Sequence, residues 1–170
     1  MKIHSDISIN GKKYPKGSMM SPYMIYPFFL VHMLMFGLSG FFMAYSTDHP
    51  EISFLYMHGG FAIMVYVIFY LTIFGVDQVR WMFINAALGL FGIYAQIDGI
   101  LSLFGKRADD FPWFVHVVPF LYYILYTFLL YQFILEVSGA HKDARRKRIV
   151  EGFYVVGSLL IYGGLYLKNV

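Results

Sequence analysis

Long apolar stretches, nearly free of charge, alternate along this chain with short polar connections. A membrane core about 30 Å thick requires roughly 20 residues of helix at about 1.5 Å each, and the apolar stretches have this length. The connections are too short to hold a soluble domain. The pattern predicts an all-α integral membrane protein, a bundle of five transmembrane helices with spans at about 23–44, 52–76, 81–104, 111–135 and 149–167.

The first 21 residues form a polar, basic tail ahead of the membrane domain, which covers 22–170. The tail is not typical of a cleavable signal peptide, so we expect it to remain on the mature protein. Alternating residues from Ile7 to Ile9, then Asn10-Gly11 and a second short run to Tyr14, predict a small β-hairpin. An isolated hairpin is marginally stable, so we expect it to pack on a partner surface.

Composition supports the membrane assignment, since 59% of the residues are apolar, 21% are aromatic and only 14% are charged. A soluble domain cannot keep so much apolar surface away from water. Cysteine is absent, which excludes disulfides, cysteine-ligated iron–sulfur clusters and c-type haem attachment. We expect the partners to be the lipid bilayer and other membrane subunits, and not nucleic acid.

Lysine and arginine are distributed unevenly between the two predicted faces, and such residues are retained on the cytoplasmic side. The face with the N-terminus has ten of them and the other has three, which predicts a cytoplasmic N-terminus and an outer C-terminus. This asymmetry is typical of the bacterial cytoplasmic (inner) membrane and also suits an organellar inner membrane. The basic run before the last span fixes topology, and it is also a candidate contact for anionic lipid head groups through Arg145, Arg146, Lys147 and Arg148.

Three ionisable side chains, His58, Asp98 and His116, interrupt the second, third and fourth spans. With this orientation all three are predicted to lie roughly 8 to 9 Å below the outer face. Ionisable groups inside a membrane are costly, and they normally face the bundle interior with a partner. The three residues therefore form the candidate site, although a shared depth does not show that their helix faces converge.

Several uses of this cluster stay open at the level of sequence. One is structural, with either histidine donating a hydrogen bond to Asp98 and holding the helices in register. Another is redox chemistry, in which His58 and His116 are axial ligands of a b-type haem and Gly59 and Gly60 leave room for the macrocycle.

A quinone site belongs to the same redox class. There a histidine and Asp98 would exchange protons with a quinone head group lying between Trp113, Tyr56 and neighbouring aromatic residues.

A third possibility is a metal site with two imidazoles and one carboxylate, formed by His58, His116 and Asp98. An outer loop with Asp48, His49 and Glu51 would add ligands, but the closely spaced histidine pairs of membrane di-iron enzymes are missing. A proton-relay role would add His32 as an inner relay point.

The third predicted span is the most polar of the five. Small and amide residues recur along one face of it at helical spacing, which favours either a cofactor or close helix contact. These residues are Asn85, Gly89, Gly92, Gln96 and Gly99.

Little of the chain lies outside the membrane, so we expect a component of a larger membrane complex. Two hypotheses follow: an electron-transfer or quinone/haem b binding anchor, and a purely structural accessory or assembly subunit without a cofactor. No nucleophile and base pair, phosphate loop or dense ligand motif occurs, so enzymatic activity of the isolated chain is not expected.

Overall fold

The computed structural model describes residues 3–9, 11–47, 49–140 and 143–168. The predicted hairpin is confirmed: strands β1 (Ile7–Ile9) and β2 (Lys12–Tyr14) pair antiparallel, with Ile7 opposite Tyr14. The segment before it supplies the contact with the bundle. Ile3 is buried, and the His4 N–H donates to the Thr72 carbonyl at 2.9 Å. The tail therefore packs on the helices at one end of the bundle, called the tail end below.

Six helices follow the hairpin, and the end opposite the tail is called the loop end. Two 3₁₀ turns in the long loop there, Ala108–Asp110 and Trp113–His116, precede the fifth helix. The helices are α1 (Pro22–Tyr45), α2 (Ile52–Phe74), α3 (Val76–Leu88), α4 (Leu90–Ser102), α5 (Val117–Val137) and α6 (Ala144–Lys168).

Three helical segments of the described chain are long and apolar enough to cross a membrane: Ile25–Tyr45, Ile52–Phe74 and Trp113–Val137. The bent pair α3 and α4 makes a fourth if the two helices form one span. The chain is therefore an α-helical membrane-embedded protein. The predicted fifth span, 149–167, falls within α6, where several side chains lie outside the described residues, and the count of five stays a prediction.

The third predicted span differs from the structure. We expected one helix over about 81–104, but α3 begins at Val76 and ends beside Gly89, where α4 starts at an angle of 71° to it. Glycine favours a helix less than any residue except proline, so a break at Gly89 costs little. The connection from α2 is a single residue, Gly75, whose φ of 84° suits glycine.

Helices α1, α2 and α5 form the tightest part of the molecule, called the three-helix core below. Tyr26, Met33, Tyr70 and Leu125 are almost fully buried in it. The Tyr70 hydroxyl donates to the Leu125 carbonyl at 2.6 Å, which ties α2 to α5. This core fixes the positions of His58 on α2 and of His116 at the start of α5.

Helices α3 and α4, called the bent arm, lie beside the core. The described buried side chains of the arm recur at helical spacing along each of its two helices, as expected for a peripheral element. These side chains are Val79, Met82, Ile93, Ile97 and Leu101. Helix α6 packs on α4 and α5, and none of its described side chains is buried.

Candidate functional site

His116 ends the 3₁₀ turn before α5 and is buried, with 9% of its surface exposed. Its Nδ1 lies 2.7 Å from the Tyr45 hydroxyl, and its Nε2 lies 3.3 Å from the Phe111 carbonyl oxygen. A neutral imidazole protonated at Nε2 satisfies both contacts, accepting from Tyr45 and donating to Phe111. His116 thus connects the end of α1 to the loop.

Asp98 also binds the loop. Its Oδ1 accepts the Ala108 N–H at 2.7 Å, and Ala108 is fully buried. One turn earlier on α4, the Tyr94 hydroxyl donates to Asp109 of the loop. In the loop itself, Lys106 Nζ donates to the carbonyl of Tyr45 at the end of α1, at 2.7 Å. We call this set of hydrogen bonds the loop clasp; it joins α1, α4 and the loop through Tyr45, Tyr94, Asp98, Lys106 and His116.

His58 lies outside the clasp. Its half-buried ring stacks against Phe54, with centroids 5.8 Å apart, and lies 5.9 Å from Phe36 of α1. It makes no hydrogen bond to any residue that the structure describes. The next residue, Gly59, faces α5 so closely that an added Cβ would lie 2.4 Å from Val118 Cγ1. Since successive helical residues point about 100° apart, His58 turns away from α5.

The three residues therefore do not meet. Within the described part of the chain, no hydrogen bond, ion pair or ring contact joins any two of His58, Asp98 and His116. The Tyr56 hydroxyl of α2 donates to the Phe114 carbonyl just before α5, so the segments that contain His58 and His116 are in contact, and the common depth of all three residues stays a prediction. Their faces differ, and one sequence does not determine helix rotation.

This arrangement bears on the cofactors. Two axial imidazoles must face a common iron, whereas both nitrogens of His116 have protein partners and the His58 ring lies against Phe36 of α1. The pair does not fit a haem in this arrangement. Among the described residues, no group of three histidine, aspartate or glutamate side chains could hold a metal ion. Asp48, one of the loop residues considered as a ligand, lies outside the described residues.

A groove of about 650 Å³ between α1 and α2, the aromatic groove, contains His58. His32 also lines it, but the His32 Nδ1 lies 3.0 Å from the Phe28 carbonyl of its own helix. The remaining wall is mostly apolar and aromatic. It includes Phe28, Phe29, Phe36, Phe61, Tyr66 and Phe69.

A second groove of about 530 Å³, the polar groove, lies between the bent arm, α5 and the start of α6. Four residues of the small and amide stripe predicted for the third span line it, namely Asn85, Gly89, Gly92 and Gln96, and Gly99 does not. Thr127, Tyr131 and Gln132 of α5, which sequence reasoning did not select, also line it. Close helix contact does not account for Gly92 here, since an added Cβ would meet nothing within 4 Å. A polar face on α5 opposite the polar third span was the signal that could have indicated this groove.

The structure also places the remaining residues that the sequence analysis selected, two glycines of α2 and four basic residues of α6. Gly59 is packed against Val118, whereas Gly60 faces open space. The side chains of Arg145, Arg146, Lys147 and Arg148 are all exposed in the first turns of α6. Their contact with lipid stays a prediction.

Comparison of the chain with protein-family models, with curated proteins and with solved structures found no match. Function is therefore inferred from the geometry of the described residues. The two grooves and the loop clasp are the features that carry it.

Proposed function

We propose that this protein is a membrane subunit that binds the ring of a lipid-soluble quinone in the aromatic groove, with His58 as the polar contact. The subunit would have five spans, a cytoplasmic N-terminus and a place in a larger complex of the bacterial cytoplasmic membrane. The observation that carries the proposal is the His58 imidazole, which lies in an aromatic groove without a hydrogen bond to any described residue.

The chemistry of the groove matches a quinone. A quinone ring is flat and apolar, and its two carbonyl oxygens accept hydrogen bonds, so an imidazole N–H supplies the one polar contact it needs. Phe36, Phe61 and Tyr66 offer ring faces and edges, and aromatic pairs gain about 0.5–1.5 kcal/mol beyond simple burial.

The groove also gives a path for the tail of such a molecule. Phe28, Phe61 and Phe69 line it and are 57%, 65% and 42% exposed, so its open side faces outward along two helices of membrane-spanning length. A ligand could enter from the bilayer without crossing water. The proposed site differs from the predicted one between Trp113 and Tyr56, because Tyr56 is used in the contact with Phe114.

Electron transfer would depend on partner subunits. A bound quinone exchanges electrons only with a donor or acceptor nearby, and this chain has no cysteine to hold an iron–sulfur cluster. The proposed role is therefore that of a quinone-binding anchor in a larger electron-transfer complex.

A second candidate, the structural accessory subunit, is favoured by the loop clasp. Asp98 and His116, the other two ionisable residues of the predicted cluster, both hold the loop against α1 and α4. In that case the clasp keeps the loop end rigid for a partner, and lipid chains fill the aromatic groove.

Photolabelling distinguishes the two. The purified protein in lipid nanodiscs would be labelled with a photoreactive benzoquinone that has an isoprenoid tail, with unlabelled quinone as competitor. We expect saturable labelling of peptides from α1 and α2, and His58→Leu should weaken the apparent affinity about five- to tenfold through loss of one hydrogen bond.

The matched control is His49→Leu, which removes an exposed imidazole from the loop between α1 and α2 and should leave labelling unchanged. Two results would overturn the quinone proposal in favour of the structural one. One is labelling that the unlabelled quinone does not reduce, and the other is labelling that His58→Leu leaves unchanged. A haem b band in the absorption spectrum would also contradict it.

A further inference from the structure

The polar groove has a hydrogen-bonding capacity that the quinone proposal does not use. It lies on the other side of the molecule, between the bent arm and α5, and its lining is rich in uncharged polar groups. None of the described lining residues has a formal charge. The amide and hydroxyl groups come from Gln78, Asn85, Gln96, Tyr123, Thr127, Tyr131, Gln132 and Tyr154.

Gln132 is the most informative of these residues. It is 7% exposed and makes no hydrogen bond to another residue that the structure describes. Gln132 lines the groove five residues, or roughly 8 Å, before the end of α5, and side-chain amides that are mostly buried nearly always have a partner. By contrast, the carbonyl of Gln96 accepts a hydrogen bond from the Tyr123 hydroxyl. A ligand with hydroxyl groups would supply the partner that Gln132 needs.

A cation lies beside the tail-end opening of the groove. Tyr131, a wall residue, donates to Glu151 of α6, and Lys147 Nζ lies 3.8 Å from the same carboxylate. On α3, Arg80 lies 3.7 Å from Asp77 and does not line the groove. A ligand whose uncharged end fills the groove would thus place an anionic group on the side of Lys147.

We propose that the polar groove binds the head group of a phospholipid whose phosphate carries an uncharged, hydroxyl-bearing group of the glycerol or inositol type. The hydroxyls contact Gln132 and Asn85, and the phosphate lies near Lys147. A lipid is favoured over a soluble phosphate ester because the groove walls are helices of the membrane-embedded bundle and the open side lies along them. This proposal is independent of the quinone proposal.

The two tryptophans of the chain provide a direct test. Trp81 lines the polar groove, whereas Trp113 lies at the loop end and is 77% exposed. Trp113→Phe leaves Trp81 as the only indole, and Trp81→Phe leaves Trp113 as the matched control. Both variants would be placed in nanodiscs containing lipids with brominated acyl chains, which quench an indole on contact.

We expect brominated phosphatidylglycerol to quench Trp81 with roughly 25-fold higher apparent affinity than brominated phosphatidylcholine, about fivefold for each of the two hydrogen bonds. Phosphatidic acid, which has the charge without the glycerol hydroxyls, should resemble phosphatidylcholine more closely. Trp113 should not distinguish phosphatidylglycerol from phosphatidic acid. Equal quenching of Trp81 by phosphatidylglycerol and phosphatidylcholine would overturn the proposal. Equal quenching by phosphatidylglycerol and phosphatidic acid would overturn it too, leaving only a charge effect.

Variants separate the two parts of the proposed contact. Gln132→Met keeps the side-chain volume and should remove most of the preference for phosphatidylglycerol over phosphatidic acid. Asn85→Leu alters an exposed position and provides the same test if Gln132→Met does not fold. Lys147→Gln should weaken the binding of both anionic lipids at Trp81. Arg145→Gln removes an equal charge two residues away, on a different face of α6, and should weaken this binding less. Full retention of the preference in both amide variants would refute the assignment.

Discussion

The three-helix core and the bent arm use similar residues in opposite ways, and their glycines show this most directly. In the core, Gly59 lets α2 approach α5 until no space remains for a Cβ beside Val118. In the arm, Gly92 borders the polar groove and has open space around its Cα. Glycine in a membrane helix is therefore evidence of close packing in one place and of a cavity in another.

Polar groups differ between the two regions as well. In the core, the buried Tyr70 hydroxyl is bonded to the Leu125 carbonyl, so its polarity strengthens the packing. Along the polar groove, Gln132 has no described partner and Asn85 is exposed. The core is suited to holding a fixed geometry, whereas the groove beside the arm is suited to accepting a ligand.

The largest expected effect is at the core glycine. Gly59→Ala would place its Cβ 2.4 Å from Val118 Cγ1, and Val118 is itself buried, so α2 and α5 must separate. Overpacking of this kind costs about 1–3 kcal/mol in the free energy of unfolding. Reversible unfolding in mixed micelles, followed by circular dichroism, measures it.

Gly60→Ala is the neighbouring control, since an added methyl group there meets nothing within 4 Å. Val118→Ala in the Gly59→Ala background should recover part of the loss, because the two sites are in contact. Equal stability of the Gly59→Ala and Gly60→Ala proteins would show that the core is not as closely packed at α2 and α5 as described.

The next effect concerns the loop clasp, which joins the core to the arm. Tyr45→Phe removes the hydroxyl that bonds His116 at 2.7 Å and leaves a buried imidazole nitrogen without that partner. We expect a loss of about 1–3 kcal/mol in the free energy of unfolding, and faster amide hydrogen exchange in the loop 103–116.

Tyr56→Phe is the comparison for this variant, since Tyr56 also bonds the loop but is 37% exposed. Water can replace a lost hydrogen bond at an exposed position, so its cost should be smaller, about 0.5–1.5 kcal/mol. If Tyr56→Phe were the more destabilising of the two, the central role assigned to the buried Tyr45 and His116 pair would be refuted.

The smallest effect is expected in the arm. Gly92→Ala adds a methyl group in open space, and alanine favours a helix over glycine by up to about 1 kcal/mol, so stability should be unchanged or slightly increased. The same unfolding assay applies. A loss comparable with that of Gly59→Ala would mean that the arm is closely packed at this position and would remove the contrast with the core.

Much of the fold could be predicted from residue patterns. Apolar stretches of membrane-spanning length predicted α1, α2 and α5, and Asn10-Gly11 between alternating residues predicted the hairpin. The third predicted span is divided in the structure into two helices, α3 and α4. Its glycines were interpreted as positions for a cofactor or for close helix contact, and whether a glycine packs or breaks a helix depends on the neighbouring helices rather than on the residue itself.

The candidate site was predictable only in part. Helical rise per residue places His58 and His116 at a similar level, but it contains no information on which way each helix is turned. Neighbouring residues of a helix point about 100° apart, so Gly59 faces α5 while His58 faces α1. Gln132 was missed because its neighbours across the groove belong to distant parts of the chain.

The amino-acid sequence by itself determines that this chain enters a membrane as helices, because the cost of exposing so many apolar residues to water depends on composition and length alone. It also determines which residues are ionisable inside those helices. Only the tertiary structure decides their use. Packing of Gly59 on Val118 sets the rotation of α2, which directs His58 into the aromatic groove while His116 and Asp98 bind the loop.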